Sequence, residues 1–407
     1  MVDYNPLLPE VRADPYPTFA RMREEDPVYW LPLIQGWLLT RYDDVLAVLR
    51  DHGRFSSDRR RSNHPLIVQV MAMEQGASPI FRTPTMLGAD PPAHTRMRNL
   101  VNKAFTPRVV EQMRPHIQQI TDELLNAAID SGRLDVVADL ASPLPIIVIA
   151  EMLGVPPEDR AQFRAWSNAV ASTLDRPVQT QATVDLARDA SNAIAVYFGR
   201  VIKQRRADPR DDLISALIAA EEGGDLLTED ELLATRILLL IAGNETTTNL
   251  IGNGMLALVR NPDQLRLLQD DPSLIASAVE ELVRYDSPVQ ATARIALSAG
   301  PLGNRQVEEG QIVVAFLGAA NRDPAHFADP NRLDLRRQDN RHLSFGHGIH
   351  YCIGSPLARA EAQIAITTLL RRLPDAEPAI GTPVWRSSFV LRGLESLPIV
   401  WKVAASG

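Results

Sequence analysis

The chain has 407 residues, 45% of them hydrophobic and 23% charged. That is enough for one large domain or two to three ordinary ones, and too apolar for wholesale disorder. The 42 Lys and Arg against 50 Asp and Glu leave a net charge of −8, which argues against general nucleic-acid binding. The one cysteine, Cys352, excludes an intrachain disulfide framework and a Cys-cluster zinc site.

The first residues lack the charged-then-apolar order of a secretory signal. The longest strongly apolar run, Ile237 to Gly243, is far too short to span a bilayer. We therefore expect a cytoplasmic protein with no membrane segment. Without repeats, low-complexity tracts or an evident linker, residues 1–407 read as one continuous domain. The spacing predicts a strand over 36–40 and a short amphipathic helix over 42–50. Residues 56–92 read as a long irregular stretch, and loops of that length are commonly binding loops. Leu66, Ile67, Val70, Met71, Met73, Ile80, Phe81 and Met86 would make it an apolar wall. Helical patterns then dominate from His94 to about Gly223.

Thr228-Glu229-Asp230-Glu231 is a capping box, the Thr and Glu able to satisfy each other's backbone donors. A helix from there to Arg260, before Asn261-Pro262, spans roughly 45 Å at 1.5 Å per residue. Asp271-Pro272 opens a further helix, ending near Tyr285 ahead of Ser287-Pro288. Residues 311–317 read as a strand after the Glu309-Gly310 turn. Many helices with few, segregated strands indicate a mainly-α or α+β fold.

Chemistry concentrates at four places. Cys352 lies in Phe345-Gly346-His347-Gly348-Ile349-His350-Tyr351-Cys352-Ile353-Gly354. The glycines let backbone bend and approach a flat ligand, and a helix over 357–372 would favour a thiolate at its N-terminus. Such a thiolate suits a metal ligand. Glu281 and Arg284 share a helix face at i, i+3, with Leu282 and Val283 between them, a spacing that allows a buried ion pair. Leu238, Ile241, Ala242, Glu245, Thr246 and Asn249 form one helical stripe in which an acid and a hydroxyl interrupt apolar residues. Gly243, a poor helix former in the same stretch, invites a local distortion of the helix. His94 and Arg98 stand at i, i+4, and Arg294 and His350 are further candidates for anchoring an anion. One decoy falls away. Gly252 to Ala257 fits G-x-G-x-x-A, but inside a predicted helix and not after a strand, so it cannot cradle a dinucleotide.

Phe-Gly-x-Gly-x-His-x-Cys-x-Gly resembles the haem-ligand signature of the cytochrome P-450 family, with every fixed position filled. Leu357-Ala358-Arg359-Ala360-Glu361 resembles its next helix. Glu281-x-x-Arg284 resembles its buried pair, and Pro330-Asn331-Arg332-Leu333 resembles the segment supplying a third member. That would make Arg332 the buttress, with Leu333 where an aromatic is common. Ala242-Gly243-Asn244-Glu245-Thr246-Thr247 is similar to its oxygen-binding motif. The resemblance implies a mainly α fold with small β-sheets, a helical triangular prism enclosing haem b. Cys352 would bind the iron, Glu245 and Thr246 would organise protons, and His94, Arg98, Arg294 and His350 would hold the propionates. Ala242, Gly243, Phe345 and Gly354 would line the cofactor.

It further implies a monooxygenase that uses O2, of the soluble bacterial type, fed by an external ferredoxin and its reductase. Ferredoxin would dock near Cys352, with Arg96, Lys103, Arg108, Arg341 and Arg359 as basic contacts. Leu238, Ile241, Ala242, Val289, Ala291, Phe389, Val390 and the loop from Leu66 to Leu87 would form an apolar pocket. Such a pocket suits a terpenoid, steroid, fatty acid or macrolide-like molecule. The chain is expected to be a monomer. Two rivals are a peroxide-driven peroxygenase and a haem protein that binds a ligand without catalysis. The retained Glu245 and Thr246 count against both.

Overall fold

Prolines and short polar caps set most element boundaries in the computed structural model, which describes residues 4–6, 8–73, 83–103, 105–171, 180–210, 215, 218, 227–379 and 381–402. The chain runs α1 (Pro9–Ala13), α2 (Tyr16–Glu25), β1 (Val28–Leu31), β2 (Gly36–Leu39), α3 (Tyr42–Arg50), β3 (Phe55–Ser56) and α4 (Pro65–Met73). Then follow α5 (Ala93–Asn102), α6 (Pro107–Asn126), β4 (Arg133–Asp135), α7 (Pro143–Met152), α8 (Arg160–Ala171) and α9 (Gln181–Ala207). The last part holds α10 (Glu229–Arg260), α11 (Pro262–Asp270), α12 (Ile275–Tyr285), β5 (Ala291–Ala296), β6 (Gly300–Leu302), β7 (Arg305–Val307) and β8 (Ile312–Phe316). It closes with α13 (Leu317–Ala320), α14 (Ser355–Arg372), β9 (Glu377–Pro378) and β10 (Pro398–Val400).

The main sheet has the order β1-β2-β8-β5-β3. Its one parallel pair is β2 with β8, where Leu38 faces Val314. β8 reads Ile-Val-Val-Ala-Phe and is buried at every position, as a strand between two others and covered on both faces must be. Two smaller sheets, β4-β10-β9 and β6-β7, complete the strands. The largest apolar core joins the helices from α5 to α14, while two lesser cores line the main sheet. The architecture is mainly α with small sheets, as expected.

α10 is the axis of the helical layer, packed by α7, α8, α9, α12 and α14. Both halves of its capping box form: Thr228 accepts from the Glu231 N–H, and Glu231 accepts from the Thr228 N–H. The glycines of the rejected dinucleotide motif serve packing here. A Cβ at Gly254 would stand 3.2 Å from Leu282, and one at Gly252 3.3 Å from Val137. The helix runs unbroken through Gly243, so the expected distortion is not present. Packing against its neighbours sustains the helix there, where propensity alone would not.

Residues 56–92 are less irregular than expected. Proline starts α4, and Leu, Met and Ala sustain it. Met86 is buried, while Ile80 and Phe81 lie outside the described residues. The Asp271-Pro272 start makes a single 3-10 turn over Pro272–Leu274 before α12 begins at Ile275. Among the described residues no helix is long and apolar enough to cross a membrane.

Candidate active site

The Cys352 loop is pinned by its own backbone. The Cys352 N–H donates to the Phe345 carbonyl at 2.8 Å, and the Gly346 N–H to Leu343 at 2.8 Å. Gly346 and Gly348 take φ of 72° and 70°, open to glycine at no steric cost. A Cβ on Gly348 would stand 2.7 Å from the Leu49 carbonyl oxygen, so the loop presses on the end of α3. The Cys352 thiol is exposed on the loop's open side. Protein walls its other sides, and this burial pushes its pKa up, against the Gly354 and Ser355 N–H groups and the Arg98 and Arg359 guanidiniums. The helix terminus therefore opposes burial but does not overcome it. The unliganded protein favours the thiol, and a bound cation is what draws off the proton.

Beneath the loop lies a buried polar network. Arg284 donates to both Glu281 oxygens at 2.7 and 2.8 Å, and both residues are fully buried. Glu281 also accepts from Arg337 Nε at 3.1 Å, Asn340 Nδ2 at 3.2 Å and the Asp334 N–H at 3.0 Å. Arg337, not Arg332, is thus the third member. The Arg332 N–H closes a turn onto Asp329, whose φ is 44°. That turn throws the Arg332 side chain outward and leaves its carbonyl inward, 3.3 Å from Arg284 Nη2. Leu333 is buried, so its departure from an aromatic is one of packing. Sequence reasoning also missed Asn321. It donates to Ser287 and Ser344 Oγ at 2.8 and 2.7 Å and accepts from the Leu343 N–H at 2.7 Å, tying α12 to the Cys352 loop.

On α10, Ala242 is exposed in the middle of a mostly buried helix, so it fronts an opening. Gly243 does not share that face. A Cβ there would meet Ile149 of α7 at 3.5 Å, because each residue turns the helix by about 100°. Thr246 Oγ1 donates to the Ala242 carbonyl at 2.7 Å. Its proton is used up in the helix, and its lone pairs remain as acceptors. Glu245 pairs with Arg386 Nη1 at 3.0 Å, a partner 141 residues away. Of the expected pocket residues, Ile241 and Ala291 are buried, and Leu238, Val289 and Val390 are half-buried. The Val390 carbonyl accepts from the Gln290 N–H at 2.8 Å. Phe389 instead lines a small hollow of about 30 Å³ with Tyr4, Pro6 and Phe19. A larger open cleft, about 310 Å³, lies between His116, Glu151 and Arg160 and includes no residue of the Cys352 loop or of the Ala242–Thr246 stretch.

A cationic cluster sits beside the loop. His94 and His350 rings are 4.4 Å apart. Among the described residues neither His94 ring nitrogen nor His350 Nε2 has a hydrogen-bond partner, though all three are buried. Burial and the Arg294, His94 and Arg98 charges push His350 down to about 3. Burial lowers Arg294 to about 10, while Asp90 opposes it. Arg98 Nη2 donates to the Tyr351 carbonyl at 2.6 Å. Asp90 is engaged by Ser56 and the Ser57 N–H.

The sequence profile described as Cytochrome P450 matches residues 29–374. Cytochrome P450 107B1 of Saccharopolyspora erythraea is 45% identical over 394 residues, 95% of each chain. The chain belongs to the cytochrome P450 family. Cytochrome P450 monooxygenase PikC of Streptomyces venezuelae is 44% identical, over 99% of this chain and 94% of its own. A crystal structure of myxobacterial cytochrome P450 CYP267B1 in complex with myristic acid superposes with a TM-score of 0.91 at 42% identity, covering 98% of both chains. The protein is a P450 monooxygenase, and its family implies a haem iron.

The residues present fit that group. Four cationic or donor side chains converge with orphaned buried nitrogens, so a pair of carboxylates is what they lack. A Cβ on Gly354 would meet nothing within 4 Å, which leaves room for a flat ring beside Cys352. Of the basic residues expected to meet a redox partner, Lys103 and Arg108 are exposed, and Arg341 is exposed beside Asp339 at 3.3 Å. Arg96 and Arg359 are committed inward, to Glu231 and Glu280.

Proposed function

We propose that this P450 inserts one oxygen atom of O2 into a lipophilic small molecule. Cys352 is the thiolate ligand of haem b, and an external ferredoxin with its reductase supplies the electrons. The chain works as one continuous domain over 1–407, as a cytoplasmic monomer. The observation that carries the reading is the lone thiol, presented by its glycine loop beside a cationic cluster of His94, His350, Arg98 and Arg294 in which histidine ring nitrogens are buried without partners.

Bound there, a thiolate-ligated haem supplies oxygen activation, because the sulfur pushes electron density toward the iron. His94, Arg98, Arg294 and His350 hold its two carboxylates. Thr246, with its proton given to Ala242, presents lone pairs to the opening and can accept a hydrogen bond there. Glu245, held by Arg386, is the acid one residue away that can exchange protons with water. Ala242, Leu238, Ile241, Val289, Ala291 and Val390 give the substrate an apolar wall, and the relative crystallised with myristic acid supports a substrate of that character. Terpenoids, steroids, fatty acids and macrolide-like molecules share it.

The test begins with purified protein, reduced and exposed to CO. The long-wavelength Soret band of thiolate ligation is expected, and Cys352→Ser should abolish it. A variant that kept the band would remove the ligand assignment. Thr246→Ala should raise peroxide release per electron consumed. Unchanged coupling would refute the role of Thr246. Turnover with peroxide outpacing turnover with ferredoxin would favour the peroxygenase.

A further inference from the structure

Arg359, expected from the sequence as a docking contact, is turned toward the metal-binding loop. Its guanidinium grips Glu280 of α12 in a fork, Nε to Oε1 at 2.6 Å and Nη2 to Oε2 at 2.9 Å. It also lies 4.4 Å from the centroid of the Phe345 ring, and Nη1 reaches the Tyr351 hydroxyl at 3.3 Å. Glu280 receives His342 Nε2 at 3.1 Å from the far side. The His342 and Phe345 rings are 5.7 Å apart. Phe345 is the residue whose carbonyl holds the Cys352 N–H. One ion pair thus fastens α12, α14 and both ends of the Cys352 loop.

We propose that Arg359 and Glu280 are positioning residues that set the reduction potential of the iron through the Phe345–Cys352 loop. The inference rests on Cys352 as the ligand of a haem iron. Reduction adds one negative charge beside the sulfur, so a nearby cation favours the reduced form and a nearby anion opposes it. Arg359 reaches the loop directly, at the Phe345 ring and at Tyr351 next to Cys352, whereas the contacts of Glu280 are to Arg359 and His342. The pair is neutral as a whole but presents its positive end to the loop. Burial alone would raise Glu280, yet its Arg359 and His342 partners bring it down to about 2, so it is ionised at working pH.

The two members therefore act with opposite sign, which a purely structural role would not do. The experiment is a redox titration of the haem-loaded protein, read from its absorption spectrum. Arg359→Gln should disfavour reduction about tenfold, equal to about 59 mV for one electron. Glu280→Gln should favour it by a comparable factor, since Arg359 loses its counter-charge. Arg359→Lys, which keeps the charge without the fork, should stay near the parent value. Shifts of the same sign in both glutamine variants, or no shift in either, would overturn the proposal. If Arg359→Gln fails to fold, Glu280→Gln decides alone, a rise supporting the inference and any other result ending it. A parent protein without the thiolate band would sink the ligand assignment and this inference together. A normal band with unmoved potentials would sink this inference alone.

Discussion

Arg332 and Arg337 are five residues apart, and only one of them reaches Glu281. The Glu281–Arg284 pair was legible because an i, i+3 spacing puts both groups on one helix face with apolar neighbours. The third member sits on an irregular loop, where the turn at Asp329 decides which side chain points in. Arg337→Ala should therefore cost about 2 kcal/mol of stability, less than a fully broken buried pair because Arg284 stays with Glu281. Arg332→Ala should stay within about 0.5 kcal/mol of the parent. Denaturant unfolding of the two variants measures both, and equal losses would return the buttress to Arg332. The same reasoning explains Gly243 and Ala242. Both were expected at the ligand face, but helical geometry can place only one of two adjacent residues squarely toward it.

Where α14 crosses α10, Glu361 is buried against Thr247. Burial raises its carboxyl to about 8, partly offset by the hydrogen bond from Thr247. The unfolded chain releases that proton near 4.5, while the folded chain keeps it up to about 8. The contribution of Glu361 to stability should thus be fullest below about 4.5 and be lost as pH rises from there to about 8. Glu361→Gln removes the penalty. Its melting temperature should change less than the parent's between about pH 5 and pH 8, and an equal change in both would show that Glu361 is not the titrating group. The ends of these helices were readable from capping residues and prolines. Their contact was not, because α10 is buried on most of its sides, polar residues included, and shows no single buried face.

Across the whole molecule, Arg392 joins the two ends of the chain. It pairs with Asp286 at 2.6 Å, donates to the Arg12 and Ala13 carbonyls at 2.5 and 3.0 Å, and stacks 3.5 Å from the Trp385 ring centroid. Tyr16 donates its hydroxyl to the same Asp286 at 2.7 Å. Arg392→Ala would leave a nearly buried carboxylate without its cation and should cost about 3 kcal/mol. Arg392→Lys should recover little of it, since an ammonium can neither fork nor stack as the planar group does. A lysine variant melting with the parent would contradict that account. From the sequence by itself came features that close within a few residues: the glycine loop around Cys352, the Glu281–Arg284 spacing and the capping box of α10, together with the order of the motifs that carries the family. The tertiary structure alone decided the partners that lie far along the chain, Arg337 for Glu281, Arg386 for Glu245 and Glu280 for Arg359. A local spacing is set by the pitch of one helix, whereas a distant pairing exists only after several helices have packed and burial has selected which charges must meet.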